Sequence, residues 1–233
     1  MRLRTSLVGA LALGGTILYL SEWAVIPFVP DLPTDDLGED VSAIAGDYAG
    51  HGTELAFLTG WVSVALLGRI VFVAALRSAL RRSSRDPVLA DIAVAAMTLS
   101  VAIEIVQLGL IASAGWLGES AVDPAAIAGL DAAGTVLFGL VLVPLGASVL
   151  ASSTAMLLSV LFPRWLCWLG IVAGAFVILG GVVGTAGAGD SGTVHDLGDP
   201  LTGIPVAAFW LWMIATSIVL FRRAPQPRPA EAA

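Results

Sequence analysis

Two carboxylates inside predicted membrane spans offer the clearest chemistry in this sequence. Glu104 is the only charged residue between positions 92 and 118, a run longer than the about 20 residues that cross a bilayer. Gln107 follows three residues later, on the same face of a helix. Glu22 is likewise the only charged residue between positions 5 and 30. Ionisable groups inside a span are costly unless they face a protein interior, so we expect these side chains to point into a helix bundle.

The two carboxylates are expected to lie at similar depth. A count of about 1.5 Å per residue from the cytoplasmic helix ends puts Glu22 and Glu104 in the outer third of the bilayer. His51, Glu54 and Asp131 are expected near or just above them. Because two close carboxylates cannot both ionise at low cost, such a pair favours sharing a proton or holding a cation. The pattern predicts an outward-facing acidic cavity that transports or binds a small ligand, a proton or a cation.

A structural interpretation of the same carboxylates stays open. Glu22 and Glu104 would then lie close enough to the lipid headgroups to be hydrated, or would be protonated hydrogen-bonding groups between helices. Intramembrane acids indicate function mainly when they lie deep, and the expected depth of these two is shallow. Depth alone therefore favours the structural interpretation.

Metal-dependent enzyme chemistry has weaker support. His51 and Glu54 share one helical face and offer two metal ligands, which Glu22, Glu104 or His195 would have to complete. With two histidines and one cysteine in the chain, we predict no bound metal and no cofactor. Lysine is absent, which excludes Schiff-base chemistry and a phosphate-binding loop with its usual lysine. A membrane enzyme is the second hypothesis, and an assembly partner for another membrane protein is the third.

Composition predicts an all-α, multi-pass membrane protein. Hydrophobic residues make up 58% of the chain, charged residues 12%, and the mean hydropathy is +0.93. The apolar run at the N-terminus extends past Trp23 without a convincing cleavage site, so we expect it to be retained as a span. Six spans are predicted, at about 5–29, 54–77, 88–115, 131–161, 165–187 and 201–221, followed by a disordered tail at 224–233.

Local signals predict where several helices begin. The pairs Asp86-Pro87, Asp123-Pro124 and Asp199-Pro200 each place a capping acid before a proline, and each is expected to start a helix. Between the first two spans, Val41, Ile44, Ala45 and Tyr48 recur at helical spacing, which predicts a short amphipathic helix on the surface.

Two further signals concern the fourth and fifth spans. The fourth contains Pro144, so we expect one long, tilted or kinked helix, with a break near Gly146 as the alternative. The fifth carries two pairs of glycines four residues apart, Gly170 with Gly174 and Gly180 with Gly184, which lets helix backbones approach closely in lipid.

The arginines predict the orientation. Ten of the eleven fall on one side of a six-span arrangement and the acidic loops fall on the other, so both termini are predicted to be cytoplasmic, in the cytoplasmic membrane. The net charge of -7 comes from the acidic residues of these outer loops. We expect lipid but no nucleic acid as a partner. The remaining arginine, Arg69, lies inside the second span. Arg69 is expected either to extend its side chain to the cytoplasmic surface or to pair with Asp91 on the third span. Because Arg69 and Asp91 are expected about 5 Å apart in depth on consecutive spans, we predict a structural ion pair between them.

One stretch resembles a known family. The segment FPRWLCWLGIVAG, within residues 130–174, is similar to a bacterial six-span family known as domain of unknown function 4386. Weaker similarity covers EIVQLGLIASAG in the third span and LYLSEW in the first. The family often has an arginine where Glu104 stands and a histidine near Ala133. The resemblance implies a six-span fold in a bacterial membrane and implies no activity.

Overall fold

Long apolar runs become long helices in this chain. The computed structural model of the protein describes residues 2–25, 40–81, 87–120, 122–187 and 193–223. Seven α-helices are seen there: α1 Arg2–Leu20, α2 Val41–Tyr48, α3 Gly52–Leu80, α4 Val88–Gly118, α5 Pro124–Leu157, α6 Arg164–Gly187 and α7 Thr193–Arg222. A single 3₁₀ turn, Ser21–Ala24, continues α1. All of these helices except α2 are long and apolar enough to cross a membrane, which confirms the predicted all-α, six-span class.

The observed helix ends agree with the start signals in part. Asp123 caps α5, since its carboxylate accepts a hydrogen bond of 3.0 Å from the backbone N–H of Ala125, as the Asp-Pro pair predicted. Pro87 stands just before the first residue of α4, while Asp86 lies outside the described residues. The third predicted start is wrong, because α7 begins at Thr193 and runs on through Asp199 and Pro200.

The fourth span is one helix that runs through its proline. α5 extends from Pro124 to Leu157 with Pro144 inside it, so the alternative of a break near Gly146 is wrong. This helix also begins seven residues before the predicted position 131, because the Asp123 cap starts it within the preceding loop.

The six long helices form a closed ring. Each packs against the next along the chain, and α7 packs back against α1. The interior is filled by large side chains, among them Phe72, Met97, Met156 and Trp212, which are fully buried. Because lipid is as apolar as these side chains, packing and interhelical hydrogen bonds hold the ring together more than burial from water does.

Glycines set the closest helix contacts. Gly146 on α5 meets Gly174 on α6, and a Cβ on Gly174 would lie 2.8 Å from the backbone oxygen of Gly146. About two helical turns away, a Cβ on Gly181 would lie 2.7 Å from the backbone oxygen of Gly139. The fifth span thus packs closely through Gly174, as its first glycine pair predicted, whereas the second contact is made by Gly181, and a Cβ at Gly184 would meet nothing within 4 Å.

The predicted amphipathic helix is confirmed as α2. Its Asp40 cap accepts a hydrogen bond from the backbone N–H of Ser42, and its apolar side chains Ile44 and Tyr48 are buried against α4 and α5. A Cβ on Gly118 would lie 2.9 Å from the Tyr48 backbone, so α2 rests directly on the end of α4.

The orientation of the ring in the membrane remains a prediction and can be measured by labelling. In a Cys167→Ser background, Ser120→Cys lies in the exposed connection between α4 and α5, and Val160→Cys lies in the connection between α5 and α6, where Val160 is 90% exposed. A membrane-impermeant thiol reagent on intact cells is expected to label position 120 and to reach position 160 only after the membrane is opened. The reverse pattern would contradict cytoplasmic termini.

Candidate functional site

A buried arginine is the centre of the polar interior. Arg69 lies inside α3, and its side chain is only 1% exposed. Its Nη2 donates a hydrogen bond to the carboxylate of Glu104 on the neighbouring helix α4. An arginine in an apolar bundle is costly without a partner, so this ion pair is the main compensation for its burial.

Tyr19 joins α1 to this ion pair. Its ring lies under the guanidinium of Arg69, 5.1 Å from ring centroid to guanidinium carbon, which is the geometry of a cation–π contact. The contact depends on the glycines Gly15 and Gly68, whose close approach brings α1 against α3. Trp210 of α7 donates a hydrogen bond of 3.1 Å to the Tyr19 hydroxyl. The cluster therefore ties four helices of the ring together.

Glu22 brings a second carboxylate to the same arginine. It lies in the 3₁₀ turn after α1, is only 8% exposed, and interacts electrostatically with Glu104 and Arg69 and with the Tyr19 hydroxyl. Glu22 and Glu104 thus both act electrostatically on Arg69. Two carboxylates and one guanidinium carry a net charge of -1 when all three are ionised.

The predicted pair between Arg69 and Asp91 is not formed, and this corrects the expectation from sequence. Asp91 instead accepts hydrogen bonds from Arg77 Nε at 2.5 Å and from Arg81 Nη2 at 3.0 Å. The reason is depth. α3 continues to Leu80, so Arg69 lies 11 residues, about 16 Å, from the end of that helix, whereas Asp91 lies three residues, about 5 Å, from the start of α4.

His51 and Glu54 lie apart from the buried cluster. They contact each other at 3.0 Å at the N-terminal end of α3, with both side chains exposed. Glu54 precedes Arg69 by 15 residues, about 22 Å along the helix. Because Glu104 contacts Arg69, it does not complete a site with His51 and Glu54.

Asp131 and Gln107 have separate positions as well. Asp131 accepts a hydrogen bond of 2.6 Å from the hydroxyl of Tyr48, so it anchors α2 over α5. Gln107 is buried on α4, one turn beyond Glu104. The single acidic cavity expected from sequence is thus divided into an interior cluster around Arg69 and two contacts at the helix ends.

Three residues of these sites were not found by sequence analysis. Tyr19 precedes Glu22 by three residues on one helical face, a spacing that would have signalled it. Trp210 gave no signal as a partner of Tyr19, because nothing local to α7 reports its contact with α1. Glu119 accepts a hydrogen bond of 3.0 Å from the backbone N–H of Gly52, and so caps α3 from the far end of α4.

Among the residues that the structure describes, no three His, Cys, Asp or Glu side chains come together as a metal-binding group. Arg69 Nε is a buried donor without a hydrogen-bond partner among the same residues.

Comparison with protein-family models, with curated proteins and with solved structures finds no match for this chain.

Proposed function

We propose that this integral membrane protein binds a proton or a small cation at Glu22 and couples that binding to transport or binding of a small ligand. The observation that carries the proposal is the balance of charges in the interior, where one arginine interacts with two carboxylates, with Glu104 through a direct ion pair and with Glu22 electrostatically. The protein is further proposed to work in the cytoplasmic membrane of a bacterium, with the Glu22 end facing outward.

The surplus charge is the source of binding energy. Arg69 and Glu104 neutralise each other through a direct hydrogen bond. Glu22 is a second carboxylate at 8% exposure with no ion pair within 4.0 Å among the described residues, and such a buried charge inside the membrane region is expensive. A proton or a cation at Glu22 removes that cost, so occupancy of the site is favourable.

The contacts of Arg69 provide the coupling. Glu22 and Glu104 both attract the guanidinium, which also lies over Tyr19, and Tyr19 is held by Trp210. Neutralising Glu22 leaves Glu104 as the only carboxylate acting on Arg69. Occupancy therefore changes the balance of forces among α1, α3, α4 and α7, which is the differential interaction that a ligand needs to shift a conformational equilibrium.

The test compares two carboxylates that differ in burial. We expect the free energy of unfolding of the purified wild-type protein to rise with proton or sodium concentration. The increase is about 2.7 kcal/mol when the ligand is at 100 times its dissociation constant. Glu22→Gln keeps the shape of the side chain and is expected to abolish this response. Glu54→Gln changes an exposed carboxylate and is expected to leave it intact.

Reconstituted vesicles with an entrapped pH-sensitive dye provide the transport measurement. Flux in the wild type and in Glu54→Gln, with loss in Glu22→Gln, is the expected pattern. Equal stability responses and equal fluxes in all three proteins would contradict the proposal.

Membership of the family known as domain of unknown function 4386 is also proposed. The segment FPRWLCWLGIVAG supports it, and the helix that this segment begins, α6, is a span that packs through Gly174 and Gly181.

A further inference from the structure

We propose that the cation bound at Glu22 is an organic ammonium, recognised by that carboxylate together with an aromatic rim. The aromatic rim consists of Tyr19, Trp23, Trp61 and Trp210. This inference rests on the proposed function, because it takes Glu22 as the cation-binding group and names the chemical class of the cation.

The rim is built around the turn that carries Glu22. Trp23 is the next residue, and its ring meets Trp210 edge-on with the ring centroids 4.9 Å apart and an interplanar angle of 82°. Trp210 in turn holds the Tyr19 hydroxyl at 3.1 Å. Trp61 reaches across from α3, and its Nε1 donates a hydrogen bond of 3.1 Å to the backbone oxygen of Ser21.

These hydrogen bonds distinguish the rim from an ordinary interfacial belt. In a belt, tryptophan and tyrosine rings sit at headgroup level with their polar ends in the aqueous interface. Here the indole N–H groups of Trp61 and Trp210 are both used within the protein. The rings are therefore fixed in place, and their negative faces are the recognition surface for a cation.

The chemistry of the rim matches an alkylated ammonium. Aromatic faces carry negative electrostatic potential and attract quaternary ammonium groups, whereas metal ions require several oxygen or nitrogen ligands. Tyr19 already holds a cation in this way, since the Arg69 guanidinium lies 5.1 Å from its ring. Glu22 supplies the opposite charge and forms no ion pair with an arginine or histidine of the described residues within 4.0 Å.

Two rings of the rim are open at the outside of the helix bundle. Trp23 is 47% exposed and Trp61 is 38% exposed, while Glu22 is almost fully buried. The positively charged group of an organic ammonium can approach Glu22 past these two exposed rings.

The experiment uses choline chloride as the probe, with its uncharged carbon analogue 3,3-dimethylbutan-1-ol and sodium chloride as comparisons. Binding to the purified full-length protein is measured by calorimetry. We expect saturable binding of choline and none of the alcohol. Glu22→Gln is expected to abolish binding, and Trp23→Leu to weaken it about tenfold through loss of a cation–π contact. Trp23→Phe retains an aromatic face and should recover most of the affinity.

Trp165→Leu is the matched control, because Trp165 is also an exposed tryptophan but lies at the start of α6. It should bind choline as the wild type does. Equal binding of choline and the alcohol, or an equal loss in Trp165→Leu, would overturn the inference. A response to sodium or protons at Glu22 without choline binding would overturn it too, while leaving the proposed function standing. No response at Glu22 to any of these ligands would remove both.

Discussion

Replacing Glu104 with leucine is expected to lower the free energy of unfolding by about 3–5 kcal/mol, because it leaves the buried Arg69 without its ion-pair partner. The guanidinium is 1% exposed and cannot regain water where it lies. Its Nε already lacks a hydrogen-bond partner among the described residues, so the loss of Glu104 would add a second unsatisfied group. Glu22 lies close enough to take over part of the role, so the effect should grow when Glu22→Gln is added.

The double variant Arg69→Met with Glu104→Leu gives the sharper measurement. Removing both charges should be less destabilising than removing Glu104 alone, because no uncompensated charge remains in the bundle. Unfolding would be followed in mixed micelles by circular dichroism. Additive effects of the two substitutions would show that the residues do not interact.

Asp91→Asn serves as the comparison for that measurement. Its partners Arg77 and Arg81 are exposed near the end of α3, where ion pairs contribute little to stability. The expected change is therefore much smaller than for Glu104→Leu. A loss as large as that of Glu104→Leu would mean that burial does not set the strength of these pairs.

The membrane spans could be predicted from the sequence because the length of each hydrophobic run can be counted directly along the chain. The run around Glu104 exceeds what a bilayer needs, and α4 forms there. The ends of the helices were harder to predict, because amphipathic or capped turns continue a helix beyond its apolar part. α3 continues for three residues, about one turn, beyond the predicted end of the span at position 77. Arg69 therefore lies farther from the end of its helix than predicted, and the predicted pairing with Asp91 was wrong.

The buried cluster could be predicted only in part, because some of its residues are far apart in the sequence. Glu22 and Glu104 were expected at similar depth, and both interact electrostatically with Arg69, while only Glu104 forms an ion pair with it. Tyr19 and Trp210 are separated by 191 residues and meet because α7 closes the ring against α1. No local periodicity reports ring closure, since it depends on how all six helices pack.

Glycine at position 68 is what allows Tyr19 to reach Arg69, so Gly68→Ala should disturb the site without touching a polar atom. A Cβ there would lie 2.6 Å from the backbone nitrogen of Tyr19 and would also collide with the backbone oxygen of Gly15. Backbone atoms cannot swing aside as a flexible side chain can, so α1 must move away from α3. Overpacking of this kind is expected to cost about 1–3 kcal/mol.

Gly60→Ala is the matched control, because Gly60 lies on the same helix and a Cβ there would meet nothing within 4 Å. Alanine is favoured over glycine inside a helix by about 0.8–1.0 kcal/mol, so Gly60→Ala should be neutral or stabilising. The two variants share this helix term, and the difference between their unfolding free energies therefore isolates the contact between α1 and α3. Since that contact positions Tyr19 and the turn that carries Glu22 relative to Arg69, Gly68→Ala should also weaken cation binding, whereas Gly60→Ala should not. Identical behaviour of the two alanine variants would mean that the crossing at Gly15 and Gly68 does not position the site.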